Sequence, residues 1–380
     1  MRPKIIVILL LSTLTGICFG FYAVEAKADN DPGKKYGLLS YTDSDGKKKT
    51  VKTRKDWEKK RSRILSGMQQ AMGRLPDLSA AGPVTAVFSD SLVTDKYTRY
   101  SVLLTVAPGE TVPAYYYLPS GYSGKKPLPA ILALHPTGEA GKGLVDGLST
   151  RPNRAYGKEL AERGYAVLAP DFPGYGELKD YDFSSDRYES GSMKGIFNHI
   201  RCVDFLVARP EVDPRNIGVI GHSLGGYNAI FVGAFEPRIK VVISSSGWTI
   251  FDFYRPWSEE GARRHGGRLG PWAQEVHMPL LRDQYHLDGD LFPFDLHEAV
   301  AAIAPRAFFS NSPREDYFSA EGVKVGMESI KEVYKLYGVT EKARAVYPEG
   351  GHDFPTEQRT AAYRFLDSEL GLSPNDHFIE

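Results

Sequence analysis

The stretch Ile217-Gly218-Val219-Ile220-Gly221-His222-Ser223-Leu224-Gly225 runs into Tyr227-Asn228-Ala229-Ile230-Phe231-Val232. Its order is an apolar strand, a sharp turn and an apolar helix, with a serine at the tip of the turn. A serine on such a turn sits in a strained backbone conformation. The residues two before and two after it must therefore lack side chains that would clash where strand and helix cross. Gly221 and Gly225 meet that demand, and Ser223 is the candidate nucleophile. In a chain with 38 Gly, the bare Gly-x-Ser-x-Gly pattern arises by chance at a rate of roughly 0.3. The flanking strand and helix carry the reading.

Working outward, short buried runs alternate with amphipathic stretches, as a mostly parallel sheet with crossover helices requires. The runs are Ala130 to Leu134, Ala166 to Ala169, Ile217 to Ile220, Val241 to Ser244, Ala307 to Ser310 and Ala345 to Tyr347. Met193, Ile196, Phe197, Ile200, Val203 and Val207 form a 3.6-residue stripe that Pro210 ends, which predicts a helix on one face of the sheet. Upstream, Trp57, Ile64, Leu65, Met68 and Met72 predict a further helix. Tyr97 to Val106 and Pro113 to Leu118, parted by Pro108-Gly109, predict an antiparallel hairpin. Residues 29 to 55 are polar, without apolar period, and read as a flexible lead-in.

A serine hydroxyl attacks a carbonyl only when a base takes its proton, and histidine does this near neutral pH. His352 is the candidate base, because Gly350-Gly351-His352-Asp353-Phe354-Pro355 is a loop between the last predicted strand and the last helix. The base needs a carboxylate to hold its tautomer. Asp316 follows the run Ala307 to Ser310 and lies between nucleophile and base in chain order, with Glu315 as its rival. Asp353 adjoins the base and is expected to cap the next helix. The oxyanion of the tetrahedral intermediate needs backbone donors. Leu224 N–H and Thr137 N–H, the latter in His135-Pro136-Thr137-Gly138, are the candidates. No role is assigned to His199, His265, His277, His286 or His377.

Residues 248–295 break the alternation with an aromatic-rich insertion after the strand that follows the nucleophile strand. It is expected to hang over the C-terminal edge of the sheet as a lid or cap, where open α/β folds bind ligands. Trp248 and Trp257 are taken to line the substrate pocket, against the competing reading of buried packing.

Lys plus Arg and Asp plus Glu are 47 each, so no net field draws the 380-residue chain to nucleic acid or to an anionic membrane surface. A small-molecule or carbohydrate ester is the expected partner. Arg2 and Lys4 precede the apolar run Ile5 to Val24, and Ala26-Lys27-Ala28 is a small-x-small cleavage site, so residues 1–28 read as a signal peptide. A secreted or periplasmic protein is expected, with an uncleaved anchor as the competing reading. Cleavage would remove Cys18 and leave Cys202 without an intrachain disulfide partner. The expected organisation is then a lead-in and helix at 29–80 and a catalytic domain at 81–380 carrying the cap 248–295.

From about Trp57 to Leu370 the chain resembles the α/β-hydrolase superfamily. More narrowly, it resembles the secreted acetyl xylan esterase and dienelactone hydrolase-like group that also borders the prolyl oligopeptidase catalytic domain. The matching residues are His135 to Gly138, Gly164-Tyr165-Ala166-Val167-Leu168-Ala169-Pro170-Asp171, Arg209-Pro210-Glu211-Val212-Asp213, Gly221 to Gly226, Ala304-Pro305-Arg306 and Gly351 to Pro355. The resemblance implies an α/β-hydrolase fold with a mostly parallel central sheet and helices on both faces. It also implies triad roles for Ser223, Asp316 and His352, and chemistry without metal or cofactor. The leading expectation is a secreted serine carboxylesterase acting on acyl or alkyl esters, carbohydrate esters among them. A serine peptidase of the prolyl oligopeptidase type is the alternative. A non-catalytic binding protein on the same scaffold is disfavoured, because every triad position is filled.

Overall fold

Apolar runs buried at consecutive positions are satisfied by one nine-stranded sheet with a core on each face. The computed structural model describes residues 35–43 and 45–373; the segment read as a signal peptide lies outside them. The strands are β1 (Ser40–Thr42), β2 (Lys48–Thr50), β3 (Thr85–Val93), β4 (Tyr97–Ala107), β5 (Glu110–Pro119), β6 (Leu128–Leu134), β7 (Ala166–Pro170), β8 (Val212–His222), β9 (Ile239–Ser245), β10 (Ala307–Asn311) and β11 (Ala343–Val346). The large sheet has the order β11-β10-β9-β8-β6-β7-β5-β4-β3. From β11 to β7 every pairing is parallel, and β5, β4 and β3 continue it antiparallel.

The helices are α1 (Arg54–Met72), α2 (Tyr156–Glu162), α3 (Gly191–Val207), α4 (Leu224–Phe235), α5 (Glu259–Arg264), α6 (Leu280–Asp283), α7 (Leu296–Ala301), α8 (Ala320–Tyr337) and α9 (Thr356–Leu370). Leu132, Val219, Val242 and Phe308 face a core shared with α1, α3, α4, α7 and α8. Their neighbours Ile131, Ile220, Ile243 and Phe309 face the other way, onto α2 and α9. The period of two along each strand thus divides the apolar side chains between both faces. The six expected parallel runs all lie in this sheet or at its ends, and the stripe from Met193 to Val207 is α3.

Two differences have physical causes. β3 escapes a search for buried runs, because it is the sheet's outer strand and nearly all of its residues are exposed. Within the lead-in, β1 and β2 form a two-stranded hairpin, closed at its turn by Asp43, whose carboxylate accepts from the amides of Asp45 and Lys47. So short a hairpin leaves no period to read.

Between β9 and β10 the insertion is tied to the body of the molecule. The amides of Gly191 and Ser192, at the start of α3, donate to the carbonyls of Glu275 (2.8 Å) and His277 (3.1 Å). These carbonyls satisfy donors that a helix N-terminus leaves without intrahelical partners. A Cβ on Gly191 would lie 2.5 Å from the carbonyl oxygen of Val276, so the insertion approaches the helix as closely as only glycine allows.

The same constraint is tighter under Ser223. A Cβ on Gly225 would lie 2.0 Å from the Leu134 carbonyl oxygen, and one on Gly221 would lie 2.1 Å from that of Gly225. Both obstacles are backbone, which cannot turn aside. Gly225→Ala should therefore destabilise the fold by about 2 kcal/mol or more. Urea unfolding measures this, and an unchanged midpoint would show that the crossing is looser than described.

Candidate active site

Ser223 caps α4 with φ 57° and ψ −118°, a conformation rarely tolerated by a side-chain-bearing residue. Its amide donates to Ser245 of β9 (2.8 Å), and its carbonyl accepts from the amide of Tyr227 (3.2 Å). The turn is pinned on both sides while the side chain stays partly exposed.

Two loops bring partners to it. After β10, the amides of Ser312, Arg314 and Glu315 donate to the carbonyls of Val346, Pro348 and Gly350 at 2.9, 2.9 and 3.0 Å. This continues the β10–β11 ladder past the strand ends and delivers Asp316 beside His352. Nδ1 of His352 lies 3.1 Å from both carboxylate oxygens of Asp316, and Nε2 lies 2.8 Å from Ser223 Oγ. Asp316 is fully buried at its side chain and His352 is 16% exposed, so the series runs from interior to surface. An N–H at Nδ1 donating to the carboxylate leaves the Nε2 lone pair directed at the serine hydroxyl. Glu315, the rival acid, is exposed and takes part through its backbone alone.

The His352 loop is held from below. Arg154 donates to Asp353 (2.5 Å) and to the His352 carbonyl (3.3 Å), Asn153 donates to Asp353 (2.7 Å), and Asn311 Nδ2 donates to the Asp353 carbonyl (3.0 Å). Burial works against ionisation of Asp353, but the bonds from Arg154 and Asn153 hold its carboxyl below the usual range. Asp353 therefore anchors the loop through Arg154. The expected helix cap falls instead on Pro355, which makes no side-chain cap.

His222 packs against His352 with ring centroids 4.8 Å apart and planes tilted by 43°. Asn311 donates to Ser245 Oγ (2.9 Å), and the same hydroxyl pairs with His222 Nδ1, also at 2.9 Å. Burial, and then repulsion from His352, push the His222 imidazolium well out of reach. A neutral ring beside His352 adds no second positive charge when His352 takes a proton.

Ser223 opens into a cavity of about 790 Å³ lined by the 136–140 loop, Tyr175, Leu224, Tyr227, Tyr317 and, from the insertion, Tyr254, Trp257, Trp272, Gln274 and His277. Leu224 is the first residue of α4, and Thr137 lines the same cavity. Trp257 lies at the rim and is 67% exposed. Trp248 does not reach the cavity. It is buried, donates from its indole to Ser310 Oγ (2.9 Å) and packs on Phe308. The expectation of a pocket role for Trp248 is corrected: the residues from Ser244 to Phe251 continue the buried run past the end of β9, and Trp248 belongs to that run.

Composition and motif left His277, Tyr254 and Trp272 without a role, since each becomes part of the site only through the path of the insertion. Tyr227 and His277 are paired across the wall, hydroxyl to Nδ1 at 2.6 Å. Burial lowers the His277 pKa to about 4. Among the described residues, no group of three or more His, Cys, Asp or Glu is arranged to hold a metal ion.

The family described as glucuronyl esterase, fungi, matches residues 186–338, a span that contains Ser223 and Asp316 but stops short of His352. The hydrolase YtaP of Bacillus subtilis is 28% identical over 71% of this chain and 87% of its own length. A glucuronoyl esterase structure from Solibacter usitatus superposes with a TM-score of 0.66 at 19% identity, covering 88% of this chain and 97% of that one.

The chain has the α/β-hydrolase fold. Carbohydrate esterases are among the proteins it resembles. They include the 4-O-methyl-glucuronoyl methylesterase 1 of Wolfiporia cocos, 25% identical over 83% of this chain and 76% of its own length.

His277 gives the α/β-hydrolase a measurable dependence on pH. A histidine that titrates near 6.5 when unfolded and near 4 when folded is protonated in the unfolded chain first. Stability is therefore complete above pH 6.5 and falls as pH drops toward 4, by about 3 kcal/mol for this one group. His277→Gln should flatten the difference in unfolding free energy between pH 7 and pH 4.5 by roughly 2 kcal/mol. Equal differences in both proteins, by urea unfolding, would mean that His277 is not buried neutral.

Proposed function

We propose that this α/β-hydrolase is an exported serine esterase that cleaves acyl or alkyl esters of carbohydrates through a covalent acyl-enzyme. The observation that carries the reading is the contact series from Ser223 Oγ to His352 Nε2 and from His352 Nδ1 to Asp316 at the mouth of an aromatic-lined cavity. In this reading Ser223 Oγ attacks the ester carbonyl while His352 takes its proton. Asp316 stabilises the resulting imidazolium. The amides of Leu224 and Thr137 receive the oxyanion. His352 returns the proton to the departing alcohol, and water then releases the acid by the same steps.

Carbohydrate as the substrate class is supported by the names of the relatives and by the cavity wall. Tyrosine, tryptophan and histidine there offer apolar faces for sugar rings and polar edges for hydroxyls. Export is supported by residues 1–28, and among the described residues no helix is long and apolar enough to cross a membrane.

A screen of acetylated and methyl-glucuronoyl sugars should find hydrolysis by the wild type. Ser223→Ala and His352→Ala should each lose at least about a thousandfold in kcat. A folded protein inactive on every ester, or a peptide p-nitroanilide cleaved much faster than 4-nitrophenyl acetate, would overturn the reading. Trp257→Ala should raise KM for a sugar ester by about tenfold with little change in kcat, as loss of one stacking platform at the rim requires. An unchanged KM on the same sugar ester would remove Trp257 from the substrate site.

A further inference from the structure

Tyr317 follows Asp316 in the chain, and its hydroxyl lies 2.9 Å from His352 Nε2, the same nitrogen that Ser223 Oγ contacts. It also interacts with the Ser223 hydroxyl. The ring is clamped. It stacks on His352 with centroids 4.4 Å apart and planes at 27°, packs on Phe318 at 4.8 Å and meets Tyr254 edge-on at 6.4 Å. The backbone is held as well, since the Tyr317 carbonyl accepts from the amide of Arg255 (3.0 Å). Burial, reinforced by the charge of Asp316, raises the phenol's pKa, so the hydroxyl keeps its proton at neutral pH.

These positions constrain the second half of acylation. Once His352 has taken the Ser223 proton, Nε2–H must deliver it to the ester's alcohol oxygen as the C–O bond breaks. That oxygen must come within hydrogen-bond distance of Nε2, beside the place where the phenol already stands. A clamped ring cannot withdraw, so its hydroxyl flanks the departing oxygen.

Building on the serine-esterase reading above, we propose that Tyr317 is a further catalytic residue, donating a hydrogen bond to the leaving-group oxygen during acylation and holding the attacking water during deacylation. In acylation the bond from Ser223 Oγ to the carbonyl carbon forms and the bond to the alcohol oxygen breaks. The bonding pair leaves with that oxygen, which takes its proton from His352. Tyr317 keeps its own proton throughout.

Tyr317→Phe retains the stacked ring and removes only the hydroxyl. The measurement is kcat/KM, which reports acylation, for wild type and Y317F on ethyl, phenyl and 4-nitrophenyl acetate. Y317F should lose about ten- to a hundredfold on ethyl acetate, whose alkoxide needs help to leave. It should lose less than about threefold on 4-nitrophenyl acetate, whose anion leaves unaided. A uniform loss on all three esters would reduce Tyr317 to a positioning residue and overturn the proposal, as would no loss at all. Fluorophosphonate labelling of Ser223 in both proteins keeps the tests separate. Labelling of the wild type but not of Y317F would place the hydroxyl's effect on the nucleophile and also overturn the proposal, whereas failure to label the wild type would sink the esterase reading on which it rests.

Discussion

The backbone of α4 crosses the ends of β6 and β8 so closely that carbonyl oxygens stand where side chains would begin. This contact between Gly225 and Leu134, and the matching one between Gly221 and Gly225, forces the chain to reverse within one residue. Ser223 absorbs the reversal at positive φ. The strain costs of order 1–3 kcal/mol and is offset by the bonds on either side of the turn and by the buried length of α4. In return, Ser223 is presented to the cavity. The conformation of Ser223 is thus a consequence of packing.

The remaining parts arrive by extension of regular structure. The ladder between β10 and β11 does not stop at the strand ends, and its further bonds hold the acid loop to the base loop. Asp316 is in this way placed by backbone pairing. Arg154 and Asn311 then fix the loop on the other side of the imidazole. His222 illustrates how the interior protects the site: Ser245 Oγ bonds its Nδ1, and burial keeps the ring neutral.

How much of this was legible in the sequence follows from the range of each constraint. Parallel strands and the elbow declare themselves locally, as buried runs and as a glycine on each side of a serine, so the sheet and Ser223 could be read directly. His352 and Asp316 were legible by chain order, because each follows a strand end at the correct edge. Which of two adjacent acids faces inward depends on the ladder past β10, and Glu315 could be set aside only with coordinates. Trp248 was misread because a tryptophan near an insertion looks the same whether it continues a buried strand or lines a cavity. Tyr317 left no signal at all, since its importance lies in the distance from a hydroxyl to an imidazole 35 residues away.

The central claim is that Ser223 becomes covalently acylated when an ester is hydrolysed. Mixing the protein with 4-nitrophenyl acetate, quenching in acid during turnover and mapping the digest by mass spectrometry tests this directly. The account expects an acetyl group on the peptide carrying Ser223, absent after Ser223→Ala. Sustained turnover with that peptide unmodified, and undiminished in the alanine variant, would contradict it.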